Sequence, residues 1–149
     1  QGYGIARPMP ALEFPGWASA WRPDSDWSDR PSINRDDLPL LFASVEHRAW
    51  IVSIARYLKG ERDEHLPLDH HLCRFGAWLD IEGRFRYGSQ SAFHALESSH
   101  RKVHLLAAEL CEHKAMGRKL EAVARLGELH GLRDDLLEQL QSLLQEGHK

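Results

Sequence analysis

The sequence has little that would tie it to a membrane, a nucleic acid or an oxidising compartment. No apolar run approaches the roughly 20 residues of a membrane span. The stretch Gln1–Pro10, QGYGIARPMP, has no basic segment leading into an apolar core, so it does not read as a secretory signal. Basic residues are not in excess: 19 Lys and Arg face 22 Asp and Glu, a net charge of −3. That argues against the clustered positive charge of a nucleic-acid surface. Only two cysteines occur in 149 residues, Cys73 and Cys111. Two are too few for a disulfide scaffold and fit a reducing compartment. The expectation is a cytoplasmic protein with neither a membrane nor a nucleic acid among its partners.

Proline is scarce after residue 32 and dense before it. Residues 1–32 hold five of the seven prolines and three of the five tryptophans, Trp17, Trp21 and Trp27. Such a segment cannot hold a long helix. A short one around Leu12–Trp21 is possible with Pro15 in its first turn, and RPDSDWSDRPS reads as a linker. Two domains are therefore expected, an irregular Pro/Trp-rich segment at 1–32 and a helical domain at 33–149.

No strand-like alternation follows Asn34, and the apolar residues step by three or four. The first helix is expected to start at an N-cap Asn34 or Asp36 and to stop at Gly60, with a stripe of Leu40, Ser44, His47, Ile51, Ile54 and Leu58. A second is expected from Leu66 or Leu68 to about Ile81, with Leu72, Cys73, Gly76 and Leu79 on one face and EGRFRYGSQS as the loop after it. A third runs from about Ser91 to Lys114, on a stripe of Phe93, Leu96, His100, Val103, Ala107 and Leu110. The fourth is leucine-rich, at 129, 132, 136, 140 and 143, and Gly127 and Gly131 could kink it. These elements predict an all-α protein, an antiparallel four-helix bundle.

Histidine is the one abundant oddity, with ten copies. His100 and His104 lie one turn apart and share a helix face. His47 sits on the first apolar stripe and Cys73 on the inner face of the second helix. Four candidate ligands thus come from three helices, and three imidazoles with one thiolate suit Zn2+. Four protein ligands close a site, which makes it structural or regulatory rather than catalytic. The alternative is that buried histidines simply hydrogen-bond carbonyls or carboxylates. No HExxH glutamate is present, which rules against a metalloprotease. Glu97 and His100 form one ExxH, but no second matches it, so a dinuclear enzyme has little support. Cys111 reads as an inert buried thiol. His65, His70 and His71 are expected to be exposed, and His94, His113, His130 and His148 to face solvent.

Three stretches carry a resemblance. EHRAW at Glu46–Trp50, CRFGAW at Cys73–Trp78 and HRKVH at His100–His104 resemble the three signatures of the chemoreceptor zinc-binding domain. Over about Leu38 to Leu144, the resemblance implies a four-helix bundle, often dimeric and cytosolic. It implies zinc held by His47, Cys73, His100 and His104. Gly76 would allow close helix approach, and Trp50 and Trp78 would be structural beside the site. QGYGIARPMPALEF in turn resembles the last motif of EAL-type cyclic-di-GMP phosphodiesterases, whose active-site glutamine would be Gln1. The EAL signature and the carboxylates that bind metal in that family are missing here, so the fragment is not expected to be an enzyme. Its parent is expected to be an EAL protein, with or without a GGDEF domain. Zinc binding would bias that domain through Trp21–Pro31. The competing readings are a metal-free helical dimerisation module and a redox sensor of hypochlorous acid or peroxide acting through Cys73.

Overall fold

The computed structural model describes residues 6–22 and 35–146. The described residues are helical, with no strand among them. The chain divides into two compact units, residues 1–33 and 34–149. In the first unit, α1 spans Phe14–Ala20 with Pro15 in its opening turn, where a missing N–H costs no helical hydrogen bond. Phe14, Trp17 and Trp21 fall at helical spacing, their ring centroids 5.7 and 6.3 Å apart, and none is buried. Gln1, Asn34, His148 and most of the Trp21–Pro31 connector lie outside the described residues.

The second unit is built on three long helices. A 3-10 turn, Arg35–Asp37, leads into α2, Leu38–Lys59. The cap is Asp37 rather than Asn34 or Asp36. Its carboxylate makes no cap bond and instead accepts the Tyr87 hydroxyl at 3.1 Å. Gly60 ends α2 with φ of 82°, a left-handed conformation that glycine adopts without a Cβ clash. The amide of Glu61 then returns to the Arg56 carbonyl at 2.9 Å. The buried stripe of α2 is Leu40, Ala43, His47, Ile51, Ile54 and Leu58; Ala43, not Ser44, takes the inner position. Arg35–Lys59 is long enough, and holds a stretch apolar enough, to cross a membrane by length and composition alone. Here its fully buried leucines and isoleucines are core.

The region after Pro67 departs most from expectation. Residues 66–73 are loop and turn, and helix begins only at α3, Arg74–Trp78. It continues through a wider π segment, Leu79–Gly83, into α4, Arg84–Tyr87. The expected loop at EGRFRYGSQS is therefore helical up to Tyr87. The Cys73 side chain caps α3 by accepting the Gly76 amide at 3.1 Å, so the helix starts eight or six residues later than Leu66 or Leu68 would place it. Leu72, still in the turn, is 74% exposed instead of lying on the inner face.

α5 spans Ser91–Ala115 and buries all six residues of its expected stripe. A short α6, Lys119–Ala124, precedes α7, Leu126–Glu146. The break falls at Arg125, and Gly127 and Gly131 lie within α7. α7 packs on α5 and α2, α6 on the same two helices, and α3 on α2. Leu129, Leu136, Leu140 and Leu143 are buried against this chain's own helices. Each such leucine contributes about 1.5–3 kcal/mol by leaving water.

Candidate metal centre

Three imidazoles interrupt this core. His47 occupies one step of the α2 stripe and is 4% exposed; His100 and His104, on α5, are 1% and 2% exposed. A buried polar ring must find partners. His47 Nδ1 lies 2.8 Å from the Ala43 carbonyl, and His104 Nδ1 2.9 Å from the Leu68 carbonyl. A carbonyl only accepts, so each Nδ1 carries the proton and each Nε2 keeps a free lone pair. His104 Nε2 is buried and has no hydrogen-bond partner. His100 Nε2 lies 3.2 Å from Cys73 Sγ.

The Cys73 thiol sits at the mouth of α3, with the Gly76 amide on one side and the His70 carbonyl at 3.3 Å on the other. One ligand atom from each of His47, Cys73, His100 and His104 lies within 4.8 Å of the others. A tetrahedral zinc site sets its donors roughly 3.3–3.8 Å apart, so a small contraction suffices. The residues fit such an ion: a closed set of three nitrogens and one sulfur, with an orphaned nitrogen aimed into it.

The electrostatics agree. Burial pushes His100 down to about 2, with His47, His104 and His70 adding to the effect. Burial also lowers His104 to about 4, against the pull of the Leu68 carbonyl. His47 is lowered by the same cause, opposed by the Ala43 carbonyl and Glu46. All three imidazoles are therefore neutral and available to a cation at pH 7. Burial raises the Cys73 thiol, opposed by the amides of Gly76 and Phe75. Metal binding must displace that proton.

The surroundings explain the glycine and the aromatics. A Cβ on Gly76 would stand 1.7 Å from the His70 carbonyl oxygen and 3.3 Å from His100 Cε1. Gly76 thus makes room for the turn that precedes its own helix. Trp50 lies with its ring 4.5 Å from that of His104 and donates Nε1–H to the Pro67 carbonyl at 3.1 Å. Trp78 stands one ring further back, stacked 5.6 Å from Phe75. Phe75 is the wall itself, its edge-on contacts 5.7 Å from His47 and 5.3 Å from His100. Sequence reasoning missed Phe75 and the carbonyls of Ala43, Leu68 and His70. Only Phe75 left a trace, as the apolar residue inside CRFGAW.

Residues 47–111 match the model of the chemoreceptor zinc-binding domain family. The matched stretch holds all four donors. Zinc is the metal that this family's description and this donor set share. No curated protein and no solved structure matches the chain.

The remaining histidines follow expectation at His65, His71 and His94 and depart from it at His70, His113 and His130, which are partly buried. His65, His71 and His94 are exposed. The His70 side chain is 26% exposed and that of His113 19%. His113 follows Leu106 and Leu110 on one helix face, which draws it partly inward. His130, beside buried Leu129, is half-buried. Cys111 is 4% exposed, and burial pushes its thiol up to about 11. Glu97 pairs with Arg84 and lies 3.4 Å from His94 Nδ1, so its ExxH register with His100 does not reach the centre.

Proposed function

We propose that residues 34–149 are a regulatory zinc-sensing module, with zinc held by His47, Cys73, His100 and His104. The observation that carries this reading is the convergence of four donors, three buried and neutral, in one closed group. The reading includes an antiparallel four-helix arrangement of the long helices, with the α3–α4 segment as its short member. A closed site of this kind leaves no open position for substrate, so the module would act by changing rigidity or assembly rather than by catalysis. Elemental analysis of protein purified without added metal tests it: one equivalent of zinc is expected, and less than about a tenth would refute it.

The wider context is an extension of the same proposal. The motif QGYGIARPMP supports a cytoplasmic parent of EAL type that hydrolyses cyclic-di-GMP, with zinc biasing its activity. Hydrolysis by the parent at buffered zinc, compared with a Cys73→Ala parent, would test that. Phe42, Val45 and Val52, all more than half exposed on α2, support a homodimer, which sedimentation would reveal. A metal-free dimerisation module loses its main motive, because the α7 leucines are consumed within the chain. A redox role keeps one supporting observation: Cys73 is half-buried and lines a largely apolar cleft of about 460 Å³.

A further inference from the structure

A second groove, of about 500 Å³, reaches the centre from the opposite rim, and its floor includes His100 and Gly76. His71, His70 and Asp80 line it. They form a graded series: the His71 side chain is 58% exposed, that of His70 26%, and His100 is 1% exposed. The rings are close enough to pass an ion along. His71 and His70 centroids lie 3.9 Å apart, and His70 lies 6.1 Å from His100 and 6.4 Å from His104. Asp80 Oδ2 accepts from His71 Nδ1–H at 2.8 Å, which leaves the lone pair of His71 on Nε2. His70 is not one of the four closed donors.

The apolar cleft on the Cys73 side is lined by the donors Cys73, His47 and His104 themselves, but it holds no imidazole outside the donor set that could relay an ion to them. Its charged groups are Glu46, already paired with Arg74, and Arg62, a cation bound to Ser53. The groove also carries Arg84 and Arg101; Arg84 is paired with Glu97, and at His70 the positive charge of Arg101 is opposed by the carboxylates of Asp69 and Asp80.

We infer that His71, with Asp80 behind it, and then His70 form an entry port that hands a divalent zinc ion from solvent to His100 and the buried donors. The inference rests on the zinc reading of the centre. A fully hydrated ion cannot shed its waters in one step into an apolar core, and transient imidazole ligands replace them one at a time. The port lowers the barrier in both directions and leaves the end states alone, so uptake and release change together.

Stopped-flow mixing of metal-free protein with zinc, and of the zinc-loaded protein with a chromogenic chelator, reads both rates, while competition titration reads the dissociation constant. For His70→Ala/His71→Ala, uptake and release should both slow by about tenfold with affinity unchanged, the barrier rising by one decade. Asp80→Asn, which leaves both rings in place, should give a smaller slowing in the same sense. Unchanged rates in the double variant would overturn the port. So would weakened affinity carried by release alone, which would make His70 a ligand. If the unaltered protein takes up no zinc, the centre itself is refuted; zinc uptake with unaltered kinetics refutes only the port.

Discussion

His104 shows how a single side chain is committed to a metal. Its Nδ1–H is spent on the Leu68 carbonyl, its ring is covered by Trp50, and its Nε2 is buried with nothing to accept from. An orphaned buried acceptor costs about 1–3 kcal/mol, which a cation removes. His104→Ala and Cys73→Ala should therefore abolish stoichiometric zinc, measured on purified protein, while Cys111→Ala should leave it intact. Zinc retained at one equivalent in both ligand variants would sink this donor set. The same burial makes metal-free protein sensitive to acid. Below pH 6.5 an unfolded chain protonates imidazoles that the fold keeps neutral down to about 4 at His104 and about 2 at His100. The unfolded state binds more protons across that window, so stability is fully present above pH 6.5 and falls as the pH drops through it. Urea denaturation of the metal-free protein should show lower stability at pH 5.5 than at pH 7.5, and equal values would contradict the assignment. At this scale the sequence was informative because imidazoles are rare on apolar stripes. It was silent on Phe75 and the carbonyls, since any residue supplies a carbonyl and a phenylalanine in a core is ordinary.

The elements were legible where one periodicity ran long. α2 and α5 keep 3–4 spacing over 22 and 25 residues, and α2 ends on its glycine. The α3–α4 region was misread for two physical reasons. Cysteine is not a usual cap, so the start at Cys73 gave no signal. Gly83 reads as a breaker, whereas it lies inside helix to clear its neighbours: a Cβ there would stand 2.8 Å from Trp78 Cζ3 and 3.0 Å from Phe93 Cε2. Glycines in this fold thus divide by surroundings. Gly83→Ala should destabilise by about 1–3 kcal/mol as an overpacked core site. Gly76→Ala, driven into the His70 carbonyl, should lose zinc as well, because the turn holding Cys73 must move. Gly131→Ala has nothing within 4 Å and lies in a helix, so it should stabilise by about 0.5–1 kcal/mol. Thermal denaturation of the three variants decides the matter. A destabilised Gly131→Ala would mean that α7 meets something in solution which the isolated chain does not display.

At the scale of the molecule, the donors tie together segments far apart in sequence: α2, the mouth of α3 and α5. Apolar packing already joins these helices through Leu40, Ile51, Phe93 and Val103. The stretch 66–73, by contrast, has no regular structure and only half-buried Leu68 and Cys73 packed on the core. It is the part whose position should respond most to the metal, since it carries the donor Cys73 and its Leu68 carbonyl accepts from the donor His104. Zinc binds the folded protein through donors that no unfolded chain holds together. The stability gain should follow the free zinc concentration, reaching about 2.7 kcal/mol at one hundred times the dissociation constant. Calorimetry at buffered zinc should show this rise in the unaltered chain and none in Cys73→Ala. Amide hydrogen exchange should slow on zinc addition chiefly across 66–73, while the centres of α2 and α5, held by the apolar core, change less. Uniform slowing over all the helices would mean that the ion acts on global unfolding alone. Slowing confined to 66–73 would identify this segment as the part of the module that zinc orders, and so as the element through which occupancy could be read by an attached domain.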